Sequence, residues 1–257
     1  MKHTLLAIVL ALWPALASAG LTDQQIGSVS LQPPPDARVP MSQLFKDLGA
    51  NSVSIGQAIG NRPTLLMPAD FTCKQICGPA LSIAATALKQ TGLVAGRDYS
   101  VVVVGIDPRD GIEDARRFAN GQIDGPGISV LSGTSEAIGA LLGAVGYQTE
   151  VDVDHDAIAH PAAFMTLSPD GHVVRALSSL ALQPTDLRLA LIEAGAGRIG
   201  GITGRIALLC YGFDAVHGIY TTRITAVLRI AGAMTVVVLA GAIGLMLLHR
   251  RRSGASA

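Results

Sequence analysis

The sequence predicts an α/β domain followed by a single C-terminal transmembrane helix. Three observations predict it. Short β-branched runs alternate with helical stretches between residues 64 and 194, the pattern of strands joined by crossover helices in a partly parallel sheet. An uncharged run, IAGAMTVVVLAGAIGLMLL, extends from Ile230 to Leu248. At about 1.5 Å per residue its ~19 residues match a hydrocarbon core about 30 Å thick. The chain also opens with a basic start, a short apolar run and the small residues Ala17-Ser18-Ala19, the three-part form of a secretory signal.

The elements follow in order. Residues 1–19 are the predicted signal peptide, cleaved after Ala19. Residues 20–40 contain Pro33-Pro34-Pro35 and few core residues, so an extended lead-in is expected. The globular domain is placed at 41–215. A hairpin is expected from Phe45-Lys46-Asp47-Leu48-Gly49 to Val53 and Ile55. Thr64-Leu65-Leu66-Met67 reads as a buried strand ended by Pro68, which has no N–H for a ladder. Pro79–Gln90 has helical apolar spacing, with Pro79 tolerated in the first turn. Tyr99–Ile106, YSVVVVGI, is the strongest strand signal. Asp110-Gly111-Ile112-Glu113 has the form of a capping box opening a helix to Asn120. A helix at Glu136–Val145 and a strand at Ala162–Leu167 follow. The turn Ser168-Pro169-Asp170-Gly171 leads into Val173-Val174, and Pro184–Ala194 is a helix with Asp186 in its first turn. The transmembrane helix is assigned to 224–248 and a cytoplasmic tail to 249–257. His249-Arg250-Arg251-Arg252 places the C-terminus inside and the exported domain in the periplasm, tethered to the inner membrane.

Composition narrows the function classes. A hydrophobic content of 49% reflects the two apolar ends as much as the domain. Nineteen basic residues balance nineteen acidic ones. No basic face points to nucleic acid. Nothing resembles H-E-x-x-H, a Walker loop or G-x-S-x-G, so hydrolase and nucleotide-binding chemistry have no support.

The three cysteines are an odd number in an exported chain, where thiols can oxidise and stay oxidised. Cys73 and Cys77 sit in FTCKQICGP, where a strand ends and a helix begins. A helix N-terminus carries partial positive charge, which lowers thiol pKa and favours thiolate. Positions i and i+4 share a helix face about 5–6 Å apart. A strained disulfide is open to the pair after a small adjustment, and a metal ion shared between the sulfurs is easier to accommodate.

The chain resembles the Sco/SenC family of exported, thioredoxin-like proteins tied to copper delivery for cytochrome c oxidase. The resemblance rests on Cys73-Lys74-Gln75-Ile76-Cys77 after the first core strand. A second strand runs into Gly105-Ile106-Asp107-Pro108-Arg109-Asp110. His160 lies nine residues before the Pro169-Asp170-Gly171 turn. It implies a thioredoxin-like fold and a three-ligand copper site formed by Cys73, Cys77 and His160. Thiolates suit Cu(I), and imidazole helps the site accept Cu(II). The implied partner is the copper-centre subunit of cytochrome c oxidase, or another copper donor or acceptor. Family members usually carry proline where this chain has Lys74 and Gly78, and many are anchored at the N-terminus.

Two functions follow from different classes. One is a membrane-tethered periplasmic copper chaperone. The other is a thiol–disulfide oxidoreductase that keeps a partner's metal-binding cysteines reduced. Thioredoxin-type reductases use C-x-x-C, whereas this chain has one residue more and a matching histidine, so copper is favoured. His155 and Asp107 are candidates for supporting the ligands. Their plainer reading makes His155 a solvated loop residue and Asp107 the opener of an Asp-Pro turn. Asp110 is read as the helix cap, and Cys210 as an inert buried thiol.

Overall fold

The computed structural model describes residues 21–73, 77–196, 211–214, 219–222, 229, 232–241 and 243. At its centre lie two largely apolar strands, β4 (Thr64–Ala69) and β5 (Ser100–Gly105). All twelve of their residues are buried. Such near-continuous apolar runs are the mark of strands covered on both faces. They pair in parallel, Thr64 opposite Ser100 through Ala69 opposite Gly105.

Three more strands complete a five-stranded sheet in the order β11-β10-β4-β5-β6. Beside β5 runs β6 (Ile128–Leu131), in parallel. On the other side β10 (Ala163–Leu167) pairs antiparallel with β4, and β11 (Val173–Ser178) antiparallel with β10. The sheet is therefore mixed. Its parallel strands are joined by α3 (Cys77–Gln90) and α4 (Ile112–Ala119), and its last strand leads to α6 (Pro184–Ala194).

Side chains alternate across the sheet with a period of two, and the core divides accordingly. Leu65, Met67, Val101 and Val103 pack on one face with Leu81 and Ala84 of α3, Phe118 of α4, and Leu187 and Leu191 of α6. Leu66, Val102, Val104 and Met165 pack on the other. There they meet Ile55 and Ile59 of α2 (Ile55–Ile59) and Ile138 and Leu141 of α5 (Ser135–Ala144). Burying each large apolar side chain contributes about 1.5–3 kcal/mol.

Several expectations change in the folded chain. Pro68 does not end β4; the strand runs through it to Ala69. The carbonyls of Pro63 and Ala69 accept from Ser100 and Ile106 N–H groups, so odd-numbered residues bond towards β5 and Pro68 faces β10. Pairing with β10 stops at Leu66 opposite Met165, so the missing N–H costs no ladder bond. The lead-in is not simply extended. It contains α1 (Asp23–Ser28), capped by Thr22 and Gln25, and β1 (Ser30–Leu31), which pairs with β7 (Tyr147–Gln148). Ala37 and Val39 are buried, and Val39 N–H bonds the Gly171 carbonyl. The expected hairpin forms as β2 (Leu44–Lys46) and β3 (Ser52–Ser54), with Ile55 already in α2. The stretch before His160 forms a second hairpin of β8 (Glu150–Asp152) and β9 (Ala157–Ala159), with His155 in its turn.

Beyond α6, β12 (Tyr211–Asp214) and β13 (Ile219–Thr222) form a further hairpin. Of the expected membrane span, residues 229, 232–241 and 243 are described; all are helical and exposed. Among the described residues no helix is long and apolar enough to cross a membrane. The signal peptide at 1–19, Cys210 and the tail at 249–257 lie outside the described residues.

Candidate functional site

Where β4 leaves the sheet, Asp70 turns the chain. Its carboxylate accepts the Thr72 N–H at 2.9 Å, and its carbonyl accepts the Cys73 N–H at 3.3 Å. Phe71 drops into the core against Phe118, ring centroids 5.2 Å apart. The space it fills exists because residue 105 is glycine, since a Cβ there would lie 2.7 Å from the Phe71 ring. The Phe71 N–H is bonded by Asp110, whose carboxylate oxygen lies 2.8 Å away. Asp110 is thus not the helix cap. Gly111 occupies the N-cap of α4, and the Asp114 carboxylate accepts its N–H at 2.8 Å. Asp110 instead stitches the end of β5 to the turn that carries the cysteines, across 39 residues of sequence.

Cys77 is the first residue of α3 and is buried; Cys73 is half-buried against the same core cluster. Both are thiols rather than a disulfide. The Lys74–Ile76 segment between them lies outside the described residues. The expected lowering of thiol pKa at the helix start does not prevail at Cys77. Burial pushes its thiol well above the ordinary range, a hydrogen bond with Cys73 adds to the rise, and a backbone hydrogen bond from Asp70 opposes it. Desolvation penalises the thiolate more than the first turn stabilises it.

His160 follows β9 and precedes β10. Its Nε2 lies 3.2 Å from the Cys77 sulfur, although 83 residues separate the two in sequence. Its Nδ1 faces away, towards Tyr147 and the Pro161 carbonyl. Cys77, His160 and Pro161 line a small pocket together with Met67, Leu81 and Phe164. The pocket sits where β4 and β10 cease to pair beyond Leu66 and Met165, alongside Pro68.

The structure thus brings Cys77 to His160 and Cys73 to Cys77. Among the described residues it does not converge three His, Cys, Asp or Glu side chains on one metal-sized point. The two expected supporting residues lie elsewhere in the network. Asp107 is buried after β5, where it accepts the Arg109 N–H at 2.8 Å and the Arg109 guanidinium at 2.6 Å. That guanidinium beside it holds its carboxyl below the usual range. Arg109 also reaches Asp156 in the β8–β9 turn at 2.5 Å, tying the hairpin before His160 to the end of β5. His155 is exposed and pairs with Asp152 at 2.8 Å. Sequence reasoning missed Tyr147 and misread Asp110, because neither carries a local signal of its distant partner.

Comparison with known proteins agrees with this architecture. A protein of Aquifex aeolicus VF5 is 24% identical with a TM-score of 0.57, the match covering 64% of this chain and 96% of that one. BsSco, described as a member of the Sco family of cytochrome c oxidase assembly proteins, is 17% identical with a TM-score of 0.50, covering 65% and 98%. The copper-bound ScoI of Arabidopsis thaliana is 19% identical with a TM-score of 0.49, covering 59% and 94%. No relative matches among curated proteins. The SCO1/SenC family model matches residues 45–192, from β2 through most of α6 and spanning Cys73, Cys77 and His160. With a mixed, thioredoxin-like sheet and that match over more than half its length, the chain belongs to the SCO1/SenC family.

Proposed function

We propose that this chain binds one copper ion through Cys73, Cys77 and His160 and delivers it during assembly of the copper centre of cytochrome c oxidase. The observation that carries the reading is the approach of His160 Nε2 to the Cys77 sulfur at 3.2 Å. Dithiol exchange does not require an imidazole there. A soft metal does, since thiolate and imidazole are the donors copper prefers in its two oxidation states. The donor set fits the ion. Cys73 bonds Cys77, and Cys77 contacts His160, so the three proposed ligands follow one another in contact. Each thiol gives up its proton when it ligates. A site of three protein ligands beside an open pocket leaves an edge from which a partner can take the ion.

The reading includes a membrane tether, with the domain in the periplasm and the C-terminus in the cytoplasm. The uncharged run before Arg250-Arg251-Arg252 supports it. So does the described part of the C-terminal helix, where Met234, Val236, Val237, Val238, Leu239 and Ile243 are all exposed. A row of bare apolar side chains on a helix is costly in water and favourable in lipid.

The test is copper binding by the full-length protein in detergent, followed by metal analysis and absorption spectroscopy. Cys73→Ser and Cys77→Ser each abolish tight binding. His160→Ala weakens Cu(II) more than Cu(I), because two thiolates alone hold the softer ion. In cells under limiting copper, His160→Ala lowers oxidase activity while the purified variant still reduces a model disulfide. Normal oxidase activity with His160→Ala, together with its loss in Cys73→Ser, overturns the copper reading in favour of thiol–disulfide exchange.

A further inference from the structure

We propose that Tyr147 is the positioning residue of the site. It fixes the proton of His160 on Nδ1 and so presents a bare Nε2 to Cys77. This rests on the copper reading above for its purpose, but its geometry stands independently.

The hydrogen-bond directions follow from which atoms can donate. The Tyr147 hydroxyl lies 2.8 Å from the Pro161 carbonyl oxygen. A carbonyl only accepts, so the single hydroxyl hydrogen is committed to it. The same hydroxyl lies 3.0 Å from His160 Nδ1. With its hydrogen engaged, the oxygen serves Nδ1 only as an acceptor. His160 Nδ1 therefore carries the hydrogen. The Pro161 carbonyl, 3.1 Å from Nδ1 with no hydrogen to give, favours the same tautomer without enforcing it. In neutral imidazole one nitrogen is protonated and the other carries a lone pair. The lone pair is then on Nε2, the atom 3.2 Å from the Cys77 sulfur. Without metal, Nε2 accepts from the Cys77 thiol. With metal, it is a ligand atom that needs no deprotonation. Ligating histidines are generally held in this way by a partner on the other nitrogen, which sets both tautomer and ring orientation.

Tyr147 is itself held firmly. It is buried, and its ring stacks near the His160 ring with centroids 6.4 Å apart. Leu31 of the lead-in pairs with it across the β1–β7 ladder. Gln32 donates its N–H to the Gly146 carbonyl at 2.8 Å. Gly146 has φ +66, and a Cβ there would come within 2.0 Å of the Gln32 carbonyl oxygen. A segment N-terminal to the matched family region thus braces the residue that orients the imidazole.

The experiment uses full-length, reduced, metal-free protein in detergent with 15N-labelled histidine. The His160 resonances are identified by their loss in His160→Gln. We expect the neutral imidazole to carry its proton on Nδ1 and leave Nε2 bare. A His160 carrying its proton on Nε2 overturns the proposal without any Tyr147 variant. Tyr147→Phe keeps the ring and removes the hydroxyl. In it we expect a fraction of the Nε2-protonated tautomer to appear and Cu(II) affinity to fall by about 10-fold or more, while Cu(I) binding through the thiolates persists. A merely structural tyrosine would change the melting temperature and leave the tautomer alone. An unchanged tautomer with unchanged Cu(II) affinity overturns the proposal. Should the wild-type chain bind no copper, the proposed function falls, yet the nitrogen spectra of the metal-free protein still decide the role of Tyr147.

Discussion

Replacing Asp110 separates the hydrogen bond that holds the cysteine turn from the charge that makes it. Asp110 is only 6% exposed, and its carboxylate accepts the buried Phe71 N–H at 2.8 Å. Asp110→Ala leaves that N–H without an acceptor, which costs about 1–3 kcal/mol. For a chain of this size each kcal/mol lowers the melting temperature by about 2–4 °C, so the loss falls between roughly 2 and 12 °C. Asp110→Asn keeps an acceptor oxygen and removes the charge. Burial raises the carboxyl pKa of Asp110, and the nearby Asp70 and Asp107 raise it further. A raised pKa means the folded chain holds this proton more tightly than the unfolded chain. That contribution is complete below the unfolded value of about 3.9 and is lost as pH rises through the folded value. At pH 7 Asp110→Asn should therefore match or exceed the wild type, and its advantage should shrink as the pH falls towards 4. The assay is thermal unfolding of wild type and both variants from pH 4 to 8. An Asp110→Ala melting temperature equal to wild type would refute the anchoring role. An Asp110→Asn loss at pH 7 as large as that of Asp110→Ala would show that the charge, and not the acceptor, is what matters.

Two further outcomes test the packing and the electrostatics of the site. Gly146→Ala forces a side chain into positive φ and against the Gln32 carbonyl, so it should cost about 2 kcal/mol or more. Gly139→Ala, in the open face of α5, should be neutral or stabilising by about 0.5–1 kcal/mol; equal melting temperatures for the two variants would contradict the bracing of Tyr147 by the lead-in. Iodoacetamide at pH 7 should label the half-exposed Cys73 well before the buried, protonated Cys77. Preferential labelling of Cys77, followed by peptide mass mapping, would show that its thiol is not suppressed by burial.

Local pattern determined much of this protein. The apolar runs Leu65–Met67 and Val101–Val104 within β4 and β5 and the bounds of α6, Pro184–Ala194, were legible because hydrophobic period and helix-start residues are properties of a few neighbours. The resemblance carried by Cys73, Cys77 and His160 was legible because motif order survives in one dimension. Other features were not local. Pro68 stands inside a strand because β10 has already ceased to pair on the side its nitrogen faces, a fact of register between distant segments. Asp110, which a helix-start rule makes a cap, is drawn instead to the Phe71 N–H, because a buried donor outweighs a solvated one as a claim on a carboxylate. Tyr147 gave no signal at all. A tyrosine after a glycine acquires its role only when the fold brings the His160 imidazole to its hydroxyl on one side and the lead-in strand to its backbone on the other. Periodicity is written in adjacent residues, whereas the partner of a buried polar atom is chosen by whatever the tertiary structure delivers within hydrogen-bonding distance.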